Sequence, residues 1–317
     1  MESRDLLLVI MLAAVGTAYA QGYPAKPVRI VVATGAGSPD DFNVRLIAPK
    51  LNEFLGQQFI ADNRPGAAGL IGQAYAAKSA PDGYTLLYAG GSIAGSRYVN
   101  ANVPFDVLRD FTPISLLVTG RFVLIVHPNM PARNVKEFIA LARSHPGKMT
   151  YATTGPGQTP YWNAVLFNNM TGIQGVDIPF KVSSEAIVDV IAGRVDYYFT
   201  GSAAAVTNRA KLRVLAVTSS TRSPAFPEVP TMAEAALPGY DMPSWGSIVG
   251  PAGMRREIVA SLNAAIVRAL GMSDVRERLL NIGSEPAPSS PEELSKQFAD
   301  WVERYGKIAK QAGIKPQ

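Results

Sequence analysis

The sequence predicts an α/β fold in which short buried strands alternate with helices. Val28–Ala33 and Tyr84–Ala89 are short apolar runs that end in small residues, and a segment of helical periodicity follows each of them. Such alternation implies parallel sheets with helices on both faces. The 317 residues, of which 47% are hydrophobic and 17% are charged, suffice for two domains that each have a core.

The first third of the chain contains three strands, each followed by a small-residue turn. The strand Val28–Ala33 leads into a helix that we expect to begin at an N-cap on Asp40 and to end at Gly56. The elements predicted next are the strand Gln58–Asp62, the helix Ile71–Ala80 and the strand Tyr84–Ala89.

The same pattern recurs in the middle of the chain, and the last part is helical. The predicted strands are Phe122–His127, Met149–Ala152, Val176–Pro179, Val195–Phe199 and Val214–Thr218, with helices at Val135–Ser144, Trp162–Asn169 and Ser184–Ala192. A short connection joins Val195–Phe199 to Val214–Thr218, so these two strands are candidates for segments that cross between domains. The predicted C-terminal helices are Arg255–Gly271, Ser273–Ile282 and Pro291–Ala312.

The N-terminus has the pattern of a secretory signal peptide. Leu6–Val15 is an apolar run too short to span a bilayer, and Ala18-Tyr19-Ala20 supplies small residues before Gln21. The leading MESRD departs from the pattern, since it holds two acids and one arginine. We expect residues 1–20 to be removed after Ala20 and the mature protein to be periplasmic.

Composition argues against several classes of function. The formal net charge is +5, but lysine and arginine are scattered singly, which does not favour nucleic-acid binding. There is no cysteine, so disulfides, thiolate metal sites and cysteine nucleophiles are excluded. His127 and His145 each precede a proline and read as turn residues. The sequence therefore predicts neither catalytic residues nor a metal site.

Four loops combine a strand end, small residues and a helix start: Thr34–Ser38, Gly90–Ser92, Thr153–Thr159 and Thr200–Ala203. At the carboxyl ends of parallel strands, backbone N–H groups of the following helices favour an anion. The first loop lacks the third glycine of a dinucleotide fingerprint, and no phosphate-binding GxxxxGK[ST] occurs. The loops therefore indicate anion binding without a cofactor.

Several stretches resemble the Bug family, the extracytoplasmic solute-binding receptors of tripartite tricarboxylate transporters. They are Asp62–Gly69 (DNRPGAAG), Ala80–Leu87 (APDGYTLL), Ile178–Lys181 (IPFK), Ala192–Asp196 (AGRVD), Leu212–Thr218 (LRVLAVT), Phe226–Thr231 (FPEVPT) and Gly250–Gly253 (GPAG). They follow one another in the family's order and span the mature chain.

The resemblance implies a two-lobed periplasmic-binding-protein fold of type II with two crossovers. Lobe 1 would comprise residues 21–121 and 237–317, and lobe 2 residues 122–236, each with a mostly parallel sheet. A small carboxylate would bind between the lobes of a monomer and be delivered to membrane transporter subunits. The implied ligand-binding residues are Thr34, Gly35, Ala36, Gly37, Ser38, Ser92, Thr153, Thr154, Gly155, Gln158, Thr159, Thr200, Gly201 and Ser202.

Departures from the family pattern bear on the ligand. The family's first loop carries Pro-Pro-Gly-Gly before an aspartate, whereas this chain has Gly35–Ser38 before Asp41. The strand after Arg194 ends in Phe199–Ser202 instead of an Asp-Asn pair, and Val182 replaces a glycine. Without a distal aspartate to hold an ammonium group, a mono- or dicarboxylate is favoured over an amino acid.

Two other functions fit an α/β chain of this kind. A two-lobed sensor would present its ligand to a membrane signalling partner, and a hydrolase or transferase would use a similar scaffold. The enzyme lacks support because Gly-x-Ser-x-Gly is absent and no nucleophile–base set is evident. Tight binding without turnover would distinguish a receptor from an enzyme.

Overall fold

The computed structural model describes residues 22–317, so the predicted signal peptide lies outside the described residues. The strands are β1 (Val28–Val32), β2 (Phe59–Asn63), β3 (Thr85–Gly90), β4 (Phe111–Gly120), β5 (Phe122–Val126), β6 (Thr150–Thr153), β7 (Val176–Pro179), β8 (Tyr197–Gly201), β9 (Arg213–Val217), β10 (Ser244–Pro251) and β11 (Ser284–Pro286). The helices are α1 (Pro39–Leu55), α2 (Leu70–Ala77), α3 (Gly91–Val99), α4 (Val135–Ser144), α5 (Thr159–Thr171), α6 (Ser183–Ile191), α7 (Ser202–Thr207), α8 (Met232–Ala235), α9 (Arg256–Gly271), α10 (Ser273–Asn281) and α11 (Pro291–Gln311).

The strands form two sheets. The first has the order β11-β4-β10-β3-β1-β2, and the second has the order β7-β6-β8-β5-β9. The chain passes from the first sheet to the second between β4 and β5, which only Arg121 separates, and returns between β9 and β10. The predicted α/β class, with two sheets and two crossings between them, is confirmed.

Both sheets are mixed, so the prediction of mostly parallel sheets is wrong in this detail. β1 pairs in parallel with β2 and β3, and β6 does so with β7 and β8. β10 is antiparallel to β3 and β4, and β5 is antiparallel to β8 and β9. The reason is that β5 and β10 each follow a crossing between the two sheets. They therefore run away from the junction, where the chain passes between the sheets, whereas their neighbouring strands run toward it.

The crossing segments also differ from the prediction. Val195–Phe199 and Val214–Thr218 correspond to β8 and β9, and both stay in the second sheet. The strands that flank the crossings on the first-sheet side are β4 and β10, which the local pattern did not indicate. β4 contains Pro113, and β10 begins after Pro243 and contains two glycines, so both segments resemble loops when only neighbouring residues are considered.

Local capping chemistry sets the ends of the long helices. Ser38, not the predicted Asp40, caps α1: its Oγ accepts from the Asp41 N–H at 3.2 Å. Pro39 fits the first helical position because no N–H is needed there, and this moves the start forward. At α11, Ser290 and Glu293 form a reciprocal capping box, and the helix begins at the predicted residue.

Apolar side chains pack on both faces of the first sheet. One cluster joins β1, α1 and α9 and includes Ile30, Ile47 and Leu262. A second cluster runs without a break from Leu87 in the first sheet to Phe199 in the second. Within residues 22–317, no single helix is long and apolar enough to cross a membrane, and α9 and α10 meet that test only as a pair bent by 73°.

Candidate functional site

The loop after β1 is held by polar contacts of its own residues and of β2. Thr34 Oγ1 lies 2.7 Å from Ser38 Oγ, and the Gly37 N–H donates to Asp41 Oδ2 at 2.9 Å. Asn63, at the end of β2, donates to the Thr34 carbonyl at 3.3 Å and to Asp41 Oδ1 at 2.9 Å. These bonds hold the loop in shape although it lacks prolines before Ser38.

Asp41 is the anchor of this network. Its side chain is almost fully buried, and Arg45 Nε donates to both of its oxygens at 2.9 Å. Burial alone would raise the pKa of Asp41, but hydrogen bonds from Arg45, Gly37 and Asn63 outweigh burial and hold that pKa below its usual value. Asp41 therefore stays charged, and its hydrogen bonds hold the loop in place.

Asp40 has the opposite electrostatic character. Burial raises the pKa of Asp40 to about 6, against a hydrogen bond from Thr34 that lowers it. Near it lie Tyr88, whose hydroxyl accepts from Asn43 Nδ2 at 2.9 Å, and Asn43 Oδ1, which is buried with no hydrogen-bond partner among the described residues. A polar cluster that readily holds a proton thus lies beside the first loop.

The segment between β2 and α2 belongs to the same region, although the sequence analysis did not place it in the site. Gly66, Ala67, Ala68 and Gly69 all have positive φ, at 124°, 47°, 55° and 96°. Positive φ is costly for alanine and concentrates at functional segments. Gln158 Nε2 donates to the Ala68 carbonyl at 3.0 Å. The glycine-rich turn between a strand and a helix was the signal that would have identified the segment.

The N-termini of α3 and α5 meet at a seam between the two sheets. Gln73 Nε2 donates to Ser92 Oγ at 3.3 Å, while Gln73 Oε1 is buried with no partner among the described residues. A Cβ added to Gly91 would lie 2.9 Å from Thr159 Oγ1. The structure therefore brings Ser92, Gln158 and Thr159 together from opposite sides.

Glycines make this seam possible. A Cβ at Gly95 would overlap the indole of Trp162, and one at Gly157 would lie 3.0 Å from Val99 Cγ2. Trp162 itself is fully buried. Because α3 and α5 approach so closely, larger residues at these glycines would hold the two sides apart.

The loop after β6 is ordered by a buried threonine. Thr153 Oγ1 donates to Asp177 Oδ1 at 2.7 Å and accepts from the Gly155 N–H at 3.3 Å. Burial raises the pKa of Asp177, against the hydrogen bond from Thr153. Since Thr153 is fully buried, it shapes the loop, and the half-buried Thr154 and Gly155 form its accessible surface.

The loop after β8 lies partly at the junction. Thr200 is fully buried, with Oγ1 3.5 Å from Ser183 Oγ. The Ser202 N–H donates to the Arg121 carbonyl at 2.9 Å, and its hydroxyl donates to the Gly283 carbonyl at 3.4 Å. Ser202 therefore contacts the junction and the β11 segment. Among the described residues, no hydrogen bond joins it to the first loop.

The arrangement favours an anionic ligand. Helices α1, α3 and α5 begin at three of the predicted loops, so N–H groups and the positive ends of the helix dipoles are available there. Within residues 22–317, no group of three or more His, Asp or Glu side chains is placed to hold a metal ion. The region offers neutral donors and small residues more than charged side chains.

Comparison with known proteins identifies a family. The model of the family described as "Tripartite tricarboxylate transporter family receptor" matches residues 43–314 of this chain. The chain is 33% identical over 300 residues to protein BugT of Bordetella pertussis, covering 93% of this chain and 92% of BugT.

Two solved structures carry the same fold. An R. palustris protein with adipate is 34% identical, with a TM-score of 0.85, over 93% of this chain and all of that one. MatC of Rhodopseudomonas palustris with bound malate is 30% identical, with a TM-score of 0.81, over 90% of this chain and all of MatC.

Proposed function

The chain belongs to the tripartite tricarboxylate transporter receptor family, as its resemblance to Bug receptors predicted, and we propose that it captures a small carboxylate between two lobes. Relatives with adipate and with malate support a carboxylate ligand. The observation that carries the proposal is the seam itself, where α3 and α5 present their N-termini to one region from opposite sides.

We propose that the ligand-binding surface consists of the predicted residues, extended by the segment Gly66–Gly69. Thr34–Ser38 and Ser92 would line one side, with Thr154–Thr159 on the other and Gly201 toward the junction. The buried Thr153, Thr200 and Ser202 would hold these loops in shape. The hydrogen bond from Gln158 to the Ala68 carbonyl supports this extension. Most of these groups are backbone amides and hydroxyls, which bind a carboxylate without a charged partner.

We propose that lobe 1 comprises residues 21–121 and 237–317 and that lobe 2 comprises residues 122–236. The division follows the membership of the strands in the two sheets. Ligand contacts with both lobes would favour the closed form, because only a difference in binding free energy between two states shifts their equilibrium. A membrane transporter subunit would then recognise the closed form.

The proposal includes a periplasmic monomer that is exported with cleavage after Ala20 and that binds without turnover. The family's receptor role supports binding over catalysis. No cofactor, metal or nucleic acid is needed for it. Delivery to membrane transporter subunits follows from the family's role, and a sensor would share the capture step and differ in its partner.

A thermal-shift screen tests the carboxylate proposal. Residues 21–317 are unfolded and refolded to remove carried-over ligand, then melted with di- and tricarboxylates, aromatic carboxylates, amino acids and sugars. A ligand at one hundred times its dissociation constant adds about 2.7 kcal/mol, which is a measurable shift. Mass spectrometry of the recovered compound tests for turnover.

A shift with one carboxylate class, and unchanged compound, is the expected result. Conversion of the compound would contradict the receptor assignment. Absence of any carboxylate shift, with binding of sugars or amino acids, would contradict the ligand class and draw attention to the altered loops Thr34–Ser38 and Thr200–Ser202.

A further inference from the structure

A cavity of about 360 Å³ opens at the end of the second sheet that faces away from the candidate site. β5 runs antiparallel to β8, and β6 runs parallel to β8. His127, which follows β5, therefore lies beside the amino ends of β6 and β8, whereas the candidate loops follow their carboxyl ends. Strands of four and five residues separate the two places by about 13–16 Å.

Both histidines of the sequence line this cavity. His127 Nδ1 accepts the Asn129 N–H at 3.0 Å, so the ring hydrogen is on Nε2, which is a donor. His145 Nδ1 lies 3.1 Å from the Leu141 carbonyl and 3.0 Å from Ser144 Oγ, so residues of α4 hold this ring in place. Two rings oriented by the backbone therefore border one concave surface.

Lys148 supplies the available positive charge. It is exposed, lines the cavity and forms no ion pair within 4.0 Å among residues 22–317. The one carboxylate of the lining, Asp196, accepts at Oδ2 from the Thr150 N–H at 2.7 Å and from the Thr150 hydroxyl at 3.0 Å. Asp196 is thus anchored to β6, whereas the lysine can reach a ligand.

Apart from Asn129, the rest of the lining is apolar, and part of it is held in place by hydrogen bonds. Met130, Leu141 and Met149 contribute hydrophobic surface. Arg213 Nη1 donates to the Met130 carbonyl at 2.7 Å and to the Ala132 carbonyl at 2.9 Å, which fixes the wall that follows His127. A volume of 360 Å³ is in the lower part of the range of small-molecule sites, which suits a short ligand.

We propose that this cavity is a second binding site, for a small organic monoanion with an apolar body. Lys148 Nζ and His127 Nε2–H hold the carboxylate, and Met130 and Met149 pack against the hydrocarbon part. A charged donor and a neutral donor above an apolar floor match a medium-chain or aromatic monocarboxylate better than a sugar or a metal ion. The site is independent of the ligand between the lobes.

Hexanoate is the probe, and the two histidines are the reporters. Because the chain has only two, a ¹³C–¹H spectrum of the imidazole groups contains few signals and is readily assigned with the His145→Gln variant. Titration with hexanoate is expected to move both histidine signals in a saturable manner. Hexanol, which lacks the carboxylate, and acetate, which lacks the apolar body, are expected to bind at least about tenfold more weakly.

Lys148→Met keeps the apolar stem and removes the charge, and it is expected to weaken hexanoate binding at least about tenfold. The matched control is Lys211→Met, an exposed lysine of the same lobe outside the cavity, which should bind as the wild type does. Melting curves of both variants check that they fold. Unmoved histidine signals, or equal affinity of Lys148→Met and wild type, would overturn the proposal.

Discussion

Replacing Asp40 with asparagine changes how the stability of the protein depends on pH. Burial raises the pKa of Asp40 from its usual 3.8 to about 6 in the folded protein. Between these pH values the folded chain binds a proton that the unfolded chain releases, so the wild type loses stability as pH rises through 6. Asparagine does not titrate, so the Asp40→Asn variant does not lose stability in this way.

The size of the effect follows from the two pKa values. At 1.36 kcal/mol for each pH unit, the rise corresponds to about 3 kcal/mol, an upper bound because Asp40 is partly accessible. The stability of Asp40→Asn relative to wild type should therefore increase by up to about 3 kcal/mol between pH 4 and pH 7.5. Most of that increase should occur by about pH 6.5.

Urea unfolding of residues 21–317 at a series of pH values measures this difference. Asp300→Asn is the control, since Asp300 is exposed and forms no ion pair among the described residues. The stability of Asp300→Asn should depend on pH in the same way as that of the wild type. If the difference between Asp40→Asn and wild type is the same at pH 4 and pH 7.5, the carboxyl does not titrate as its burial requires, and the reasoning fails.

Two further substitutions test the seam. Gly95→Ala should place its methyl group against Trp162, which typically destabilises a protein by about 1–3 kcal/mol. We also expect it to lower the ligand affinity, measured by calorimetry, roughly tenfold. The control Gly271→Ala, which has open space around its Cβ, should change neither quantity in this way. Gln158→Ala removes the hydrogen bond to the Ala68 carbonyl and should weaken binding by roughly two- to tenfold with little change in melting temperature; unchanged affinity would show that this bond does not stabilise the bound form.

Helix ends could be predicted from the sequence because capping is local. Ser290, Pro291 and Glu293 lie within four positions, and together they satisfy the first N–H groups of α11. At α1 the same local chemistry gave the wrong N-cap, Asp40 instead of Ser38. Both residues are good caps, and only the place of Pro39 in the first turn decides between them.

Strand direction and the seam could not be predicted in this way. β10 pairs with β3 and with β4 through residues more than 120 positions away in the chain, so its strand character comes from partners and not from its own composition. Gly95 has an ordinary place in a helix pattern. Only the approach of Trp162 from the other side of the seam shows why a side chain does not fit there.

The buried polar atoms link the shape of the site to its selectivity. Asn43 Oδ1 and Gln73 Oε1 are acceptors with no partner among the described residues, and each lies near a predicted loop. An unpaired buried acceptor costs about 1–3 kcal/mol, so a donor that reaches it adds affinity. Backbone amides of the helix starts favour a carboxylate, whereas these oxygens favour a hydroxyl or a protonated group. We therefore expect the proposed site to bind a carboxylate through its backbone, and to bind more tightly those carboxylates that also bring a hydrogen-bond donor to these oxygens.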